Sequence, residues 1–293
     1  MAEPFGQPTS SGRGPAEGDA DLLDVVGIGS ALVDVLVEAT DADLAALKLP
    51  KGSMSLVDLP RAESIHAGVH ASAEVSGGSA ANTMVGVASL GGRAGFIGKV
   101  LDDRLGRVFT TEIRASGVTF EPIGGGESTE GIGTGRCLVL VTGDAERTMA
   151  TYLGAATTVV PSDVPLDLVG RSKVVYLEGY LWDLPPTIEA MRRAIEAAEE
   201  TGILVAATRG AKGSVVTTPH GPVAVEAVPV DRVLDTTGAG DLYAAGFLYG
   251  LTHGADPARC AALGGLCAGE IIGHLGARPE ADLRALAEGA ELL

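Results

Sequence analysis

Apolar and polar positions along this chain fall into short runs that switch between the two-residue repeat of a strand and the 3.6-residue repeat of a helix. Asp24-Val-Val-Gly-Ile-Gly-Ser30 is an apolar run closing on a glycine turn, and 31–38 alternates as a second, more exposed strand. A helix is predicted from Ser79, as N-cap, through Leu90, where Gly91-Gly92 stops it, and 94–98 follows as a short buried strand. The same reading gives a helix at 105–115, a strand at 174–178, a helix over 186–201, a strand at 203–207 and β-structure across 214–230. Three helices close the chain near 239–252, 257–272 and 279–289. Such alternation specifies an α/β fold with a mostly parallel sheet flanked by helices on both faces, where ligands bind at the carboxyl ends of strands. The stretches 35–60 and 118–152 break the alternation and are expected to form a small β excursion. Residues 1–22, rich in Gly, Pro, Ser, Ala and acids, read as a disordered tail, which leaves 23–293 as one folded domain. No fixed-period repeat is present.

Composition narrows the function. A net charge of −17, from 21 Lys+Arg against 38 Asp+Glu, argues against sequence-independent binding to nucleic acid or to an anionic membrane. Any phosphate must then be held by local groups. Cys137, Cys260 and Cys267 form no Cys-x-x-Cys pair and suit core packing in a reducing compartment. No apolar run reaches the roughly 18 residues of a membrane span, and the start lacks the order of a signal peptide, so a cytoplasmic location is expected.

Three segments carry candidate chemistry. Asp235-Thr-Thr-Gly-Ala-Gly-Asp241 places two carboxylates around a glycine turn that runs into an apolar helix. Gly238 and Gly240 allow close approach to an anion, the helix start offers free N–H groups, and Asp241 can take the proton of an attacking alcohol. Taken alone, the segment could equally be a plain helix start with a first-turn acid. Gly77-Gly-Ser-Ala-Ala-Asn82 precedes a helix, and its asparagine amide can donate to and accept from hydroxyls. Asp34 lies in the second strand. Two other patterns fail on inspection. Gly27-Ile-Gly29 has Leu32 where a dinucleotide fingerprint needs glycine, and Gly98-Lys99 lacks the rest of a phosphate-binding P-loop. His66 and His70 supply two imidazoles with no third ligand.

Asp34, Gly77 to Asn82 and Asp235 to Asp241, in this order and spacing, resemble the ribokinase family, also called PfkB carbohydrate kinases, over most of 24–290. The segments 29–58 and around Arg147 look more like its adenosine-kinase members. The resemblance implies a ribokinase-like fold with a small β lid, and transfer of the ATP γ-phosphoryl group to a hydroxyl of a nucleoside or sugar. It implies Mg²⁺ with ATP, a monovalent cation in some members, and a monomer or homodimer. By position, Asp34, Gly77, Gly78 and Asn82 would hold substrate, Gly238, Ala239 and Gly240 would form the anion hole, and Asp241 would be the general base. Asp235 would lie near a metal or cation, and Thr208, Gly210, Gly213 and Thr237 beside the nucleotide. Arg147 is either the arginine that reaches the transferred phosphate or a solvated hairpin residue. One departure stands out. The family carries further βα units and an Asn-x-x-Glu element before its Thr-Arg-Gly turn, whereas here Ala207 runs straight into Thr208 and Asn82 is the sole asparagine. A central piece of the sheet is expected to be missing, which makes a catalytically impaired substrate-binding relative the alternative reading.

Overall fold

The computed structural model describes residues 22–123, 132–144, 146–178, 185–197, 205–208, 212–218, 221–230 and 232–293; the tail expected at 1–22 lies outside these, apart from Leu22. In chain order the elements are β1 (Leu23–Ile28), β2 (Leu32–Glu38), α1 (Asp41–Ala46), β3 (Met54–Leu56), α2 (Leu59–Ala67), β4 (Ala71–Gly77) and α3 (Ser79–Ser89). There follow β5 (Ala94–Ile97), α4 (Arg104–Ala115), β6 (Thr119–Phe120), β7 (Gly135–Val141), β8 (Arg147–Tyr152), α5 (Leu166–Gly170) and β9 (Ser172–Leu177). The last are α6 (Pro185–Ala197), β10 (Val205–Thr208), β11 (Ser214–Thr218), β12 (Gly221–Val225), α7 (Ala239–Thr252), α8 (Pro257–Ile271) and α9 (Leu283–Gly289).

β1 is buried along its whole length because it is paired on both sides and covered on both faces, the setting in which a parallel strand reads as a continuous apolar run. It sits inside a four-stranded parallel sheet of order β6-β5-β1-β9. Phe96, Phe109 and Phe120, from β5, α4 and β6, form an aromatic cluster with centroids 5.2–5.8 Å apart on the β5 side of that sheet. The core is continuous from there through Met84 of α3 to Leu242 and Ala245 of α7.

The strand expected at 203–207 does not extend this sheet. β10 pairs antiparallel with β11, Val205 opposite Thr217, in a separate three-stranded sheet of order β10-β11-β12. Antiparallel pairing of this kind needs no crossover helix. Among the described residues β9 is therefore the end strand of the parallel sheet.

β3 from the first expected excursion and β7 and β8 from the second join β2 and β4 in one five-stranded mixed sheet of order β3-β8-β7-β2-β4, while β6, also within 118–152, stays in the parallel sheet. Its two faces differ in kind. Val33, Val35 and Val37, with Leu138, Leu140 and Ala150, pack on Leu44 of α1 and on Ala62 and Ile65 of α2. Register puts Asp34, Cys137 and Thr151 side by side on the opposite face. We call this sheet the lid.

Candidate active site

α3 and α7 start side by side because small residues let them touch: a Cβ on Gly86 would lie 2.5 Å from the Cβ of Ala245. Gly78 has φ +99°, where an added Cβ would collide with the carbonyl oxygen of Ser30, so the turn into α3 is open to glycine alone. This makes Gly78, rather than Ser79, the N-cap of α3, and it frees the Ser79 hydroxyl for another task. That hydroxyl donates to Asp241 Oδ1 at 2.6 Å, while Asn82 Nδ2 donates to Asp241 Oδ2 at 3.2 Å. Both oxygens of the expected base are thus fixed by the first turn of α3. Burial pushes the Asp241 carboxyl above its ordinary range, against the pull of Ser79, Asn82 and Arg278.

α7 opens at Gly238, φ +71°, with no side-chain cap. The Gly240 and Asp241 N–H groups come too early in the helix for intrahelical acceptors, and nothing beyond the adjoining residues of its own helix lies within 4 Å of the position a Gly240 Cβ would take. The positive end of a 14-residue helix therefore faces open space beside the Asp241 carboxylate.

Asp34 projects from the lid over Gly77, whose missing side chain leaves the room that its carboxylate fills. Burial raises its pKa to about 6, helped by the nearby Asp241 charge and opposed by Arg278 and Arg147. Asn82 is 4% exposed and its Oδ1 accepts no hydrogen bond from protein, so Asp34 and Asn82 together present acceptors to a ligand that brings donors, as hydroxyls do. The Asp34 shift carries a cost for the fold. Its native pKa lies above the ordinary 3.8, so its contribution to stability is complete below that value and is lost as pH rises through about 6. Asp34→Asn is expected to melt higher than the wild type at neutral pH and to flatten the decline between about pH 4 and pH 7. Thermal melts across that window check this; a variant that tracks the wild type throughout would remove Asp34 as the cause.

Arg147 begins β8 and crosses from the lid to Asp235, Nε to Oδ1 at 3.0 Å, with 14% and 3% of the two side chains exposed. It is not a solvated hairpin residue. Asp235 Oδ1 also accepts from the N–H and hydroxyl of Thr237, and Oδ2 from Gly276 N–H, so Thr237 is engaged within the turn. A guanidinium already neutralises Asp235, and this geometry lends no support to a metal or cation there. Among the described residues no group of three His, Cys, Asp or Glu could hold a metal ion, and the residues present do not fit a protein-built Mg²⁺ cage. Of the expected nucleotide residues, Thr208 ends β10 opposite Ser214, Gly213 lies beside β12 at φ +75°, and Gly210 lies outside the described residues. The Cys137 thiol, pushed up to about 12 by burial, is no nucleophile.

Two groups escaped the sequence reading. Glu178, just past β9, accepts from Ser30 N–H at 3.3 Å and Ala80 N–H at 3.0 Å, tying the β1 turn to the start of α3. Arg278, in the loop after α8, donates to the Ser76 and Ala81 carbonyls and the Ser76 hydroxyl. Neither stands in a motif; an acid after an apolar strand was the one available signal for Glu178.

A buried lid carboxylate, a second carboxylate held by two donors and an open helix start suit a small-molecule kinase. The model of the pfkB family carbohydrate kinases matches residues 52–204 and 184–283, and the chain belongs to that family. Two solved structures share the fold closely: a probable sugar kinase from Rhizobium etli (TM-score 0.84, 34% identity, covering 93% of this chain and 100% of that one) and adenosine kinase from Sinorhizobium meliloti (0.82, 38%, 92% and 99%). The fold is ribokinase-like, of the adenosine-kinase kind, and the protein is a small-molecule kinase by class. The 5-dehydro-2-deoxygluconokinase of Bacillus licheniformis is 26% identical over 246 residues, covering 61% of this chain and 75% of its own length. Probable fructokinase-4 of Arabidopsis thaliana is 30% identical over 131 residues, covering 44% of this chain and 39% of its own length. Since 61% of 293 residues is about 179, the 246-position Bacillus match holds roughly 67 positions without a counterpart here. The family match comes in two stretches that share residues 184–204, so it is split close to the expected join at Ala207 and Thr208. No helix among the described residues is long and apolar enough to cross a membrane.

Proposed function

We propose that the protein transfers the γ-phosphoryl group of ATP, bound as its Mg²⁺ complex, to a primary hydroxyl of a nucleoside, with adenosine as the first candidate. The observation that carries this is Asp241, held through both oxygens by Ser79 and Asn82 at the open start of α7. A carboxylate whose affinity for protons is raised by burial, yet whose ionised form is kept by hydrogen bonds, suits removal of a proton from an alcohol. The proton leaves the hydroxyl for Asp241 as the alcohol oxygen bonds to phosphorus and the bond from phosphorus to the bridging oxygen of ATP breaks. Charge on the transferred group collects beside the Gly240 and Asp241 N–H groups. Asp34 and Asn82 Oδ1 fix the acceptor through its other hydroxyls. Arg147 is positioned to leave Asp235 for the incoming phosphate, a bidentate exchange that suits guanidinium.

Nucleoside is favoured over free sugar by the lid: beside Asp34 the face continues through Cys137 and Thr151, both buried, and through Leu56, which is 64% exposed. That surface suits an uncharged ring better than a further row of hydroxyls. A second reading has its own observation. Among the described residues the parallel sheet ends at β9 and β10 lies in a separate sheet, so a binding protein with a weakened nucleotide half is the competing account. With Mg-ATP, the protein is expected to consume ATP when adenosine is added and far less with fructose. If no nucleoside or sugar stimulates turnover, while a version restored to family length within 184–204 does turn over, the binding-protein account holds.

A further inference from the structure

Arg278 is partly buried at residue level, but its guanidinium is enclosed by three segments distant in sequence. Nε and Nη2 both donate to the Ser76 carbonyl, Nη2 also to the Ser76 hydroxyl at 2.8 Å, and Nη1 to the Ala81 carbonyl at 3.3 Å. These contacts bracket Gly77 and Gly78, so one side chain spans the turn that positions Ser79 and Asn82 against Asp241. Its charge faces Asp34 from β2, Asp241 from α7 and Glu112 from α4. Asp34 in turn faces Arg147 and Asp241. Asp241 also meets Ser79 and Asn82, and its charge acts on Glu178 and Tyr176 of the neighbouring strand. Two carboxylates enclosed together repel, and a fixed cation near both relieves that repulsion.

We propose that Arg278 is a positioning residue for phosphoryl transfer: its fork clamps the Ser76 to Ala81 turn, and its charge lets Asp34 and Asp241 be ionised together. The inference rests on the kinase reading for its meaning, and on the geometry above for its content. Burial lowers the pKa of Arg278 to about 10, which still leaves it charged at neutral pH. A lysine there would keep the charge and lose the fork.

The test follows the Asp carboxyl ¹³C resonances of the full chain with pH, in the wild type, Arg278→Gln and Arg278→Lys, with Asp34→Asn and Asp241→Asn giving the assignments. In Arg278→Gln both carboxyls are expected to titrate about one pH unit higher, and in Arg278→Lys close to the wild type. Amide exchange over 77–82 is expected to speed about tenfold or more in both variants. A purely structural role would speed exchange without moving the titrations, so unmoved carboxyls in a folded Arg278→Gln overturn the charge half of the proposal. Unchanged exchange in Arg278→Lys overturns the clamp, and that variant serves even where Arg278→Gln does not fold. Loss of the kinase reading appears separately, as wild type that forms no phosphorylated adenosine, and leaves the titrations to decide on Arg278.

Discussion

Asp241→Asn is expected to lower phosphoryl transfer to adenosine by about 10²–10⁴-fold while adenosine still binds. The amide keeps the size of the carboxylate and can still meet Ser79 and Asn82, the two donors that hold Asp241 now, so the turn and α7 stay in place. What disappears is the acceptor for the proton. Under the proposed function, substrate affinity rests on Asp34 and on the Oδ1 of Asn82, which the substitution leaves alone. Initial rates of AMP formation beside calorimetric titration with adenosine separate the two effects. Equal loss of rate and affinity would assign Asp241 to binding.

Gly78→Ala is expected to cost the fold several kcal/mol, enough to unfold much of the protein at neutral pH. The backbone at φ +99° disfavours any side chain by about 1–2 kcal/mol. The larger part is steric, because the new Cβ runs into the Ser30 carbonyl, a backbone atom that Glu178 helps to fix through the Ser30 N–H. No rotamer change relieves such a contact. Gly170→Ala serves as the control, since an added Cβ there meets nothing within 4 Å. Urea unfolding of the two variants measures the difference; equal midpoints would show that the turn relaxes freely.

Much of this was legible from sequence where chemistry and local backbone coincide. The turn from Asp235 to Asp241 combines glycines, a helix start and an acid within seven residues, and Asp34 falls on a strand whose alternation fixes its face. The closing helices α7, α8 and α9 follow from their apolar runs and from breaks at glycine and proline. What stayed hidden depends on pairing across long sequence distances. β4, Ala-Ser-Ala-Glu-Val-Ser-Gly, has too little apolar content to announce a strand and is defined by its partner β2. β10 looks like any buried strand, and its sheet is decided by β11 alone. Asn82 Nδ2 donates to Asp241 while its Oδ1 accepts from no protein group, a division that only the approach of α3 to α7 reveals. Arg278 sits in Gly-Ala-Arg-Pro after α8, where sequence suggests a surface loop, yet it touches residues about 200 positions earlier. The missing stretch was visible as a family-length shortfall, and the family match is split close to it.

The central claim is that a complete acceptor site and base persist in a shortened kinase and still work together. The most direct test is transfer of labelled γ-phosphoryl from Mg-ATP to adenosine by the full chain. Labelled AMP should appear with the wild type and fall to near background with Asp241→Asn. Adenosine that raises the melting temperature of the wild type without any labelled AMP being formed would contradict the account.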